Sequence, residues 1–405
     1  MREDILTTEL QKVSSESQRR ELYSMDWLDD KDKIIEGAFA ECYLKMHPMI
    51  CIHGILFTID GIVSDESGIK NDIYSMVRPY VTSGLARKVE QLLQTIKLEA
   101  YSEPLPLQTD RIHVANGTLF LNGEFSEQKD FCLNRLPVIY DPDVEKPARW
   151  LKFMEELLNP DDILTLQEYM GYMLLPTTKA QKMMLIIGKG GEGKSRIGLV
   201  LRELFGNNMY SCSLQKIEVD KFARANLEYM LITVDDDMKL EALPQTNHIK
   251  SIVTLEDQID LERKGQQSFQ GVVYARLIAF GNGGLHALYD KTDGFYRRQL
   301  ILTTKDKVDG REDDPYLIDK LRKERDGIFL WALEGLQRLV SNNYVFTESV
   351  DAKQNLVDAQ EEGNNILAFM KSEGYLQFEI GKKISSTDFY NIYVSWCEDN
   401  LEKPR

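Results

Sequence analysis

The segment Met183-Met-Leu-Ile-Ile-Gly-Lys-Gly-Gly-Glu-Gly-Lys-Ser195 decides the fold of this 405-residue chain. Its first five residues form an apolar run that leads directly into Gly188-Lys-Gly-Gly-Glu-Gly-Lys-Ser195, and a helical pattern follows over Arg196–Phe205. This is the complete G-x-x-x-x-G-K-S phosphate-binding pattern in the strand–loop–helix setting that it requires. The segment therefore predicts an α/β domain that binds a nucleotide.

The glycines of this loop let backbone N–H groups turn inward around phosphate oxygens, because glycine adopts positive φ angles without a Cβ clash. The ammonium group of Lys194 would reach the β- and γ-phosphates, and the Ser195 hydroxyl would be a ligand of Mg²⁺. The helix that starts near Lys194 would point its positive dipole end at the phosphates. The predicted ligands are therefore ATP and Mg²⁺, and the predicted nucleotide-binding residues are Gly188, Gly190, Gly191, Gly193, Lys194 and Ser195.

A second apolar run ends in three carboxylates. Tyr229-Met-Leu-Ile-Thr-Val234 is typical of a buried strand in a parallel sheet, and Asp235-Asp-Asp237 follows it. Because ligands bind at the carboxyl edge of such a sheet, these side chains are expected near the phosphates. We assign Asp235 to the Mg²⁺ ion and Asp236 to polarisation of the attacking water, with Asp237 in reserve. A solvated acidic turn is the alternative interpretation.

The bulk composition excludes several classes of protein. Hydrophobic residues make up 43% of the chain and charged residues 28%, which is typical of a globular protein. The net charge of −16 speaks against a surface coated with basic residues for nucleic acid, although a few local cations remain compatible with DNA binding. The five cysteines show no C-x-x-C spacing, so we expect neither a zinc site nor a disulfide framework. No apolar run reaches the ~20 residues of a membrane span, and we expect a cytoplasmic protein with no membrane partner.

Several blocks between about Ile112 and Thr304 resemble the superfamily III helicases of phages, plasmids and poxviruses, in particular the helicase halves of phage-type helicase–primases. The phosphate loop and the Asp235 strand follow each other at the short spacing of that family. Four earlier blocks resemble the family's domain ahead of the motor, and these are Val114-Ala-Asn-Gly-Thr-Leu-Phe-Leu, Tyr140-Asp-Pro-Asp, Trp150-Leu-Lys-Phe and Tyr169-Met-Gly-Tyr-Met. The resemblance implies a P-loop motor domain of the AAA+ type.

A further block, His248–Ile259, resembles the extra motif of this family and continues into Leu261-Glu-Arg-Lys-Gly-Gln-Gln-Ser-Phe. The resemblance implies that this continuation is a β-hairpin that projects into a central channel and holds one DNA strand. Arg263 and Lys264 precede Gly265, so a tight turn there would present two cations to phosphates. The two cations are our predicted DNA-binding residues, and an ordinary exposed hairpin is the alternative.

Two last blocks resemble elements that act on the γ-phosphate. Ala275-Arg-Leu-Ile-Ala-Phe-Gly-Asn282 is similar to the family's sensor strand, which implies that the Asn282 amide hydrogen-bonds the attacking water or the γ-phosphate. Asp293-Gly-Phe-Tyr-Arg-Arg-Gln-Leu-Ile-Leu resembles the arginine-finger segment, in which we favour Arg298 over Arg297. A finger acts across a subunit boundary, so the resemblance implies an oligomer. The predicted catalytic residues are thus Asp236, Asn282 and Arg298.

The predicted architecture is a P-loop AAA+ sheet domain with a helical collar, flanked by an N-terminal α+β domain and a partial winged-helix-like module. Breaks such as the Pro-rich Glu103–Leu107 and the Asp-Pro pair at 141–142 mark changes in texture. The predicted domains are 1–110 (N-terminal α+β), 111–180 (pre-motor domain and collar), 181–305 (motor), 306–363 (helical segment) and 364–405 (start of the winged-helix-like module).

The function expected from these features is that of an ATP-dependent DNA helicase. It would move along single-stranded or forked DNA as a homo-hexameric ring in the replication of a phage, plasmid or other mobile element. A separate primase or origin-binding protein would be a partner. Two alternatives stay open: an origin-remodelling initiator or helicase-loader ATPase, and a regulatory P-loop NTPase without a DNA role. A channel hairpin distinguishes the helicase and the initiator or loader from the regulatory NTPase, since a regulatory NTPase does not need a loop that contacts DNA.

Overall fold

A computed structural model describes most of the chain, and the chain divides into two compact units. The first comprises residues 1–108 and 113–136, and the second comprises residues 109–112 and 137–405. The domain boundary predicted after residue 110 lies in the short segment 109–112, between the two parts of the first unit. The strands that follow this segment, up to residue 136, belong mainly to the first unit. The described residues are 27–239, 243, 245–254, 258–265, 267–287, 293–307, 314–362, 366, 369–370 and 372–400. Residues 1–26 of the predicted N-terminal domain thus lie outside them.

The first unit contains an antiparallel three-stranded sheet packed with helices. Its elements are α1 (Glu36–Met46), β1 (Met49–Ile52), β2 (Ile55–Thr58), β3 (Gly61–Ile62), α2 (Ser67–Val77) and α3 (Leu85–Glu99), with strand order β1-β2-β3. Helix α3 buries one face because its apolar residues recur at intervals of three and four, at Val89, Leu92, Leu93 and Ile96. This face forms part of a core shared with α1, α2 and β1.

A second, four-stranded sheet completes this unit. It consists of β4 (Arg111–Val114), β5 (Gly117–Phe120), β6 (Phe125–Ser126) and β7 (Arg135–Leu136), in the order β6-β5-β4-β7. The buried Arg135 side chain donates hydrogen bonds to the carbonyl oxygens of Ile59, Val114 and Gly117 at 2.8–2.9 Å. One guanidinium group therefore satisfies backbone acceptors from three separate segments.

The second unit is built on a parallel five-stranded sheet. Its strands are β8 (Met183–Ile187), β9 (Met209–Ser211), β10 (Ile232–Met238), β13 (Arg276–Gly281) and β14 (Gln299–Thr303), in the order β14-β8-β13-β10-β9. The central strands are almost wholly buried, which explains their uninterrupted apolar sequence. A mixed α/β fold with a parallel sheet is thereby confirmed.

Helices precede, connect and follow these strands, and one short hairpin interrupts them. The helices are α4 (Ala148–Leu157), α5 (Pro160–Tyr172), α6 (Lys194–Phe205), α7 (Leu214–Val219), α8 (Lys221–Ala225), α9 (Asn247–Thr254), α10 (Asp293–Tyr296), α11 (Leu317–Lys323), α12 (Arg325–Ser341), α13 (Val350–Glu362) and α14 (Ser386–Asp399). The hairpin pairs β11 (Ile259–Leu261) with β12 (Phe269–Gly271). Among the described residues, no helix combines the length and apolar character needed to cross a membrane.

Helices α5 and α12 pack closely because each has a glycine at the contact. A Cβ atom at Gly171 would lie 2.4 Å from the Ala332 carbonyl oxygen, and one at Gly335 would lie 2.2 Å from the Gln167 carbonyl oxygen. Neither distance is compatible with a side chain. The buried Glu168 carboxylate accepts hydrogen bonds from Arg338 and from the backbone N–H of Thr347, so this helix pair carries no unpaired buried charge at that position.

Candidate functional site

The loop after β8 turns its backbone through left-handed conformations at three glycines. Gly190, Gly191 and Gly193 have φ angles of +109°, +84° and +111°. Side chains disfavour this region, so the sequence needs glycine at all three positions. Gly188 serves another purpose: a Cβ atom there would lie 2.1 Å from Oγ1 of Thr304, at the end of β14. The loop thus fits tightly against the sheet and opens toward the start of α6.

A cavity of about 390 Å³ lies at this loop, on the carboxyl edge of the parallel sheet. It is lined by Gly190, Gly191, Glu192, Gly193, Lys194, Ser195, Arg196, Asp236, Asp237, Phe280, Gly281, Asn282, Asp314 and Leu317. Most of the residues predicted for the nucleotide site are therefore brought together here. Two are not among the lining residues: Gly188, which packs against Thr304, and Asp235.

Asp236 faces the helix that begins at the loop. A Cβ atom at Gly198 of α6 would lie 3.3 Å from Oδ1 of Asp236 and 3.7 Å from a methyl group of Val234. Val234 and Asp236 thus share one face of β10, as alternate residues of a strand do. Gly198 lies about one helical turn after Ser195, and Asp236 and Asp237 both line the cavity.

Asp235 points to the other face of the sheet and is only 4% exposed. Its Oδ2 accepts a hydrogen bond of 2.9 Å from the backbone N–H of Leu214, the first residue of α7. Burial raises the pKa of Asp235, and the backbone N–H groups of Leu214 and Asp237 oppose that effect. The Mg²⁺ role assigned to Asp235 from the sequence does not fit this geometry, because the side chain anchors α7 and is not among the residues of the cavity.

Asn282 reaches the cavity because of the strand order. β13 lies between β8 and β10, so the residue after its last position stands between the loop and the two exposed carboxylates. The carbonyl oxygen of Gly281 accepts a hydrogen bond of 3.1 Å from the N–H of Gly188, which ties the two strand ends together. An exposed amide at this point can hydrogen-bond a bound phosphate or a water beside it.

Glu192 was not foreseen from the sequence, although an acidic residue inside an anion-binding loop is a visible signal. Its side chain is 4% exposed, and the carboxylate accepts hydrogen bonds from Gly190 and Lys194. Asp314 and Leu317 were also missed. They line the cavity from the start of α11, and nothing in their local sequence marks them.

In the hairpin of β11 and β12, the two adjacent cations predicted to bind DNA have different surroundings. Its register pairs Ile259 with Gly271, and Gly265 has a φ of +77° at the turn. Arg263 forms an ion pair with the fully buried Glu228 carboxylate, and its guanidinium lies 4.8 Å from the centre of the Phe269 ring. Lys264 is exposed at the turn. Among the residues that the structure describes, a carboxylate holds Arg263 at the protein surface, whereas none pairs with the exposed Lys264.

Arg297 and Arg298 lie at the opposite edge of the sheet from the cavity. They directly precede β14, whose first residue, Gln299, pairs with Met183 at the start of β8. The Arg298 guanidinium is half-buried and donates a hydrogen bond to the carbonyl oxygen of Gly294, whereas Arg297 is exposed. The two arginines thus differ in how readily they can reach another molecule.

The donors in the cavity suit a nucleotide with its metal ion. Ser195, Asp236 and Asp237 offer a hydroxyl and two carboxylates, and oxygen ligands of this kind are preferred by Mg²⁺. Lys194 and the N–H groups of the positive-φ glycines offer positive charge and donors to phosphates. The cavity thus offers oxygen ligands to Mg²⁺ and positively charged or N–H groups to a phosphate.

Comparisons with known proteins place the fold. A family model described as a family of unknown function, DUF5906, matches residues 186–298, from the end of β8 to Arg298. One solved structure of the NrS-1 C-terminal region has a TM-score of 0.52 and 10% identity, covering 90% of this chain and 82% of that one. Another structure of that region has a TM-score of 0.54 and 12% identity, covering 82% of this chain and 76% of that one.

JCV helicase is a more distant match. It has a TM-score of 0.28 and 14% identity over 56% of this chain and 61% of that one, and a score at that level does not establish a shared fold. The TM-scores of 0.52 and 0.54, in contrast, show that the chain shares its overall fold with the NrS-1 C-terminal region.

Proposed function

We propose that this protein is an ATP-driven DNA helicase that works as a homo-hexameric ring in the replication of a phage, plasmid or other mobile element. The observation that carries the proposal is the convergence of Lys194, Ser195, Asp236 and Asn282 in one cavity at the carboxyl edge of a parallel sheet. This is the arrangement that phosphoryl transfer from a nucleotide requires. The strand order also fits an AAA+ sheet, with the sensor strand between the loop strand and the carboxylate strand.

Each side chain of the cavity takes a role that follows from its position. Lys194 and the inward N–H groups of the loop hold the phosphates. Ser195 and Asp236 would hold Mg²⁺, which supplies charge stabilisation to the transferring phosphoryl group. Asp237 then orients the attacking water, and Asn282 hydrogen-bonds that water or the γ-phosphate. This assignment differs from the one made from the sequence: the metal role moves from Asp235 to Asp236, and the water role moves from Asp236 to Asp237.

The placement of Arg297 and Arg298 supports an oligomer. The five residues of β14 separate them from the edge that carries the cavity, which is a distance of about 16 Å at ~3.3 Å per residue. Neither arginine can complete the cavity of its own chain without crossing the sheet. A ring solves this, because the arginine edge of one subunit can face the nucleotide of the next.

The turn of the β11–β12 hairpin supports action on DNA. Lys264 stands exposed beside Gly265, and six such turns on one axis would bring together about six cations. Local positive charge of this kind explains how a subunit of net charge −16 could hold a polyanion. The resemblance to superfamily III helicases assigns the same role to this hairpin.

A regulatory NTPase without a DNA role is the second candidate, and one observation favours it. The pair of Arg263 with Glu228 removes one of the two cations from the hairpin turn and gives Arg263 a structural task. A single lysine per subunit is a weaker signal for phosphate binding than two. An initiator or loader would share every feature of the helicase site and would differ in sustained unwinding.

One experiment separates these functions. ATP hydrolysis should be measured with and without single-stranded DNA, alongside the mass in solution with a nonhydrolysable ATP analogue. A helicase should assemble with the analogue, accelerate hydrolysis on DNA and unwind a forked duplex. Hydrolysis that does not respond to DNA, from a protein that stays monomeric, would favour the regulatory NTPase. Stimulation and assembly without unwinding would favour the loader.

A further inference from the structure

The phosphate-binding loop holds a carboxylate of its own. Oε1 of Glu192 accepts a hydrogen bond of 2.7 Å from the backbone N–H of Gly190, and Oε2 accepts one of 2.8 Å from Nζ of Lys194. The two charged side chains are almost wholly buried, with 8% of Lys194 and 4% of Glu192 exposed. The loop is thus folded around an anion that belongs to the chain itself.

The donors that Glu192 occupies are those that a nucleotide needs. Lys194 is the residue whose charge would lie on the β- and γ-phosphates, and the Gly190 N–H belongs to the stretch of left-handed backbone that would cradle them. A carboxylate and a phosphate group compete for such donors because both present negatively charged oxygens. They cannot use the same ammonium group and the same N–H in the same geometry.

We propose that Glu192 is an internal occupant of the phosphate site, which a nucleotide must displace and which thereby sets the affinity of the protein for the polyphosphate chain. The inference rests on the proposed nucleotide site and adds a residue that tunes it. Glu192 acts through Lys194 and the loop backbone, so it is a positioning residue.

The physical basis is the exchange of one buried ion pair for another. Without ligand, Glu192 neutralises Lys194, so the buried ammonium group does not stand alone. Burial raises the pKa of Glu192, but hydrogen bonds from Lys194 and from the N–H groups of Glu192 and Gly190 outweigh it and hold the pKa below its ordinary value. The carboxylate is therefore ionised at neutral pH, and each ligand must break the pair and accept a nearby negative charge.

The test uses the full chain and the variants Glu192→Ala and Glu192→Gln. Calorimetric titration with Mg²⁺ and AMP-PNP should show that Glu192→Ala binds at least about tenfold more tightly than the wild type, since the competing charge is gone. Glu192→Gln keeps an oxygen for the Gly190 N–H but loses the charge, so its affinity should lie between the two. Inorganic pyrophosphate, which has no base to bind elsewhere, should gain by a similar factor.

Asp306→Asn is the matched control. Asp306 pairs with Lys189 of the same loop at 2.8 Å, but both side chains are exposed. Its replacement removes an equal charge from the rim of the site and should change the affinity by no more than about threefold. A tenfold gain in this variant as well would show that general charge, and not occupation by Glu192, limits binding.

Two further outcomes have distinct meanings. If the wild type binds AMP-PNP and both Glu192 variants bind it equally or more weakly, then Glu192 does not compete and the inference fails, while the nucleotide site stands. If neither the wild type nor any variant binds AMP-PNP or pyrophosphate, the proposed function fails, and the inference fails with it. Should Glu192→Ala not fold, Glu192→Gln alone decides, because the isosteric amide preserves the packing.

Discussion

The carboxylate of Asp235 accepts a hydrogen bond of 2.9 Å from the backbone N–H of Leu214, at the first residue of α7. This contact ties the middle of β10 to α7 on one side of the sheet. The pairing of β10 with β13 becomes irregular after Asp235, and the next residue, Asp236, lies against Gly198 of α6 on the other side. Two neighbouring aspartates of the same chemical type therefore have different surroundings and should have different functions.

Replacing these aspartates should separate their functions. We expect Asp236→Asn to lose at least about 100-fold in ATP turnover, since it removes a charge at the proposed Mg²⁺ site. Asp235→Asn should retain turnover within about threefold, because its amide oxygen can still accept from Leu214 and the side chain is not among those lining the cavity. Steady-state hydrolysis assays on the two purified variants measure this. Loss of activity in Asp235→Asn alone would restore the metal role to Asp235.

The same Asp235→Asn variant should change how stability depends on pH. Burial raises the pKa of Asp235 above the ordinary value of 3.8, so the folded state disfavours the ionised form. The wild type therefore loses stability as the pH rises from 3.8 through the higher pKa of the folded state. Asparagine does not titrate, so the Tm of Asp235→Asn relative to the wild type should increase with pH. Thermal unfolding at several pH values checks this, and a difference that falls with pH would contradict it.

The two lysines of the phosphate loop provide a matched pair. Lys194→Ala should bind AMP-PNP poorly and lose at least about 100-fold in hydrolysis, because the variant lacks the positive charge that would stabilise the β- and γ-phosphates. Lys189 is 80% exposed and pairs with Asp306, so Lys189→Ala should keep activity within about threefold. Equal hydrolysis by Lys194→Ala and the wild type would show that the active site lies elsewhere.

The proposed arginine finger is best tested with both candidates. If Arg297 or Arg298 acts on a neighbouring subunit, its alanine variant should bind AMP-PNP normally and lose on the order of 10³-fold in turnover. The sequence favoured Arg298, whereas the bond of Arg298 to Gly294 and the exposure of Arg297 favour Arg297. Mixing the inactive variant with Lys194→Ala should restore some activity through mixed interfaces. Normal turnover in both alanine variants and no rescue in any mixture would contradict a shared site.

The two hairpin cations should respond differently to alanine. Arg263→Ala leaves the buried Glu228 carboxylate without its ion-pair partner, so it should lower the free energy of unfolding by about 1–3 kcal/mol. Lys264→Ala should change the free energy of unfolding by less than about 0.5 kcal/mol.

For DNA binding we expect the opposite order, with the larger effect from Lys264→Ala. Lys264→Ala should weaken binding to single strands and flatten its salt dependence by roughly 0.7 log units per log unit of salt for each phosphate that the lysine no longer neutralises. Urea unfolding and binding titrations at several salt concentrations measure the two effects. Wild-type DNA affinity in Lys264→Ala would remove the hairpin from the proposed DNA interface.

Local patterns in the sequence determined the class of fold and the place of the site. The strand, the glycine loop and the following helix are contiguous, and the conformations that glycine permits are a property of each residue by itself. The apolar runs of β8, β10 and β13 are likewise typical of strands buried on both faces. A parallel sheet with a glycine loop at its carboxyl edge could therefore be predicted without coordinates.

Only the tertiary structure decided how individual charged side chains are used. Alternation along a strand predicts that Asp235 and Asp236 face opposite ways, but the packing of α6 and α7 decides which of them lines the cavity. Arg263 is drawn from the hairpin turn by Glu228, which lies 35 positions earlier in the sequence. Glu192 turns inward because Lys194 and the N–H of Gly190 are within its reach. A buried charge must be paired wherever the partner comes from, and such pairing joins residues that no local pattern connects.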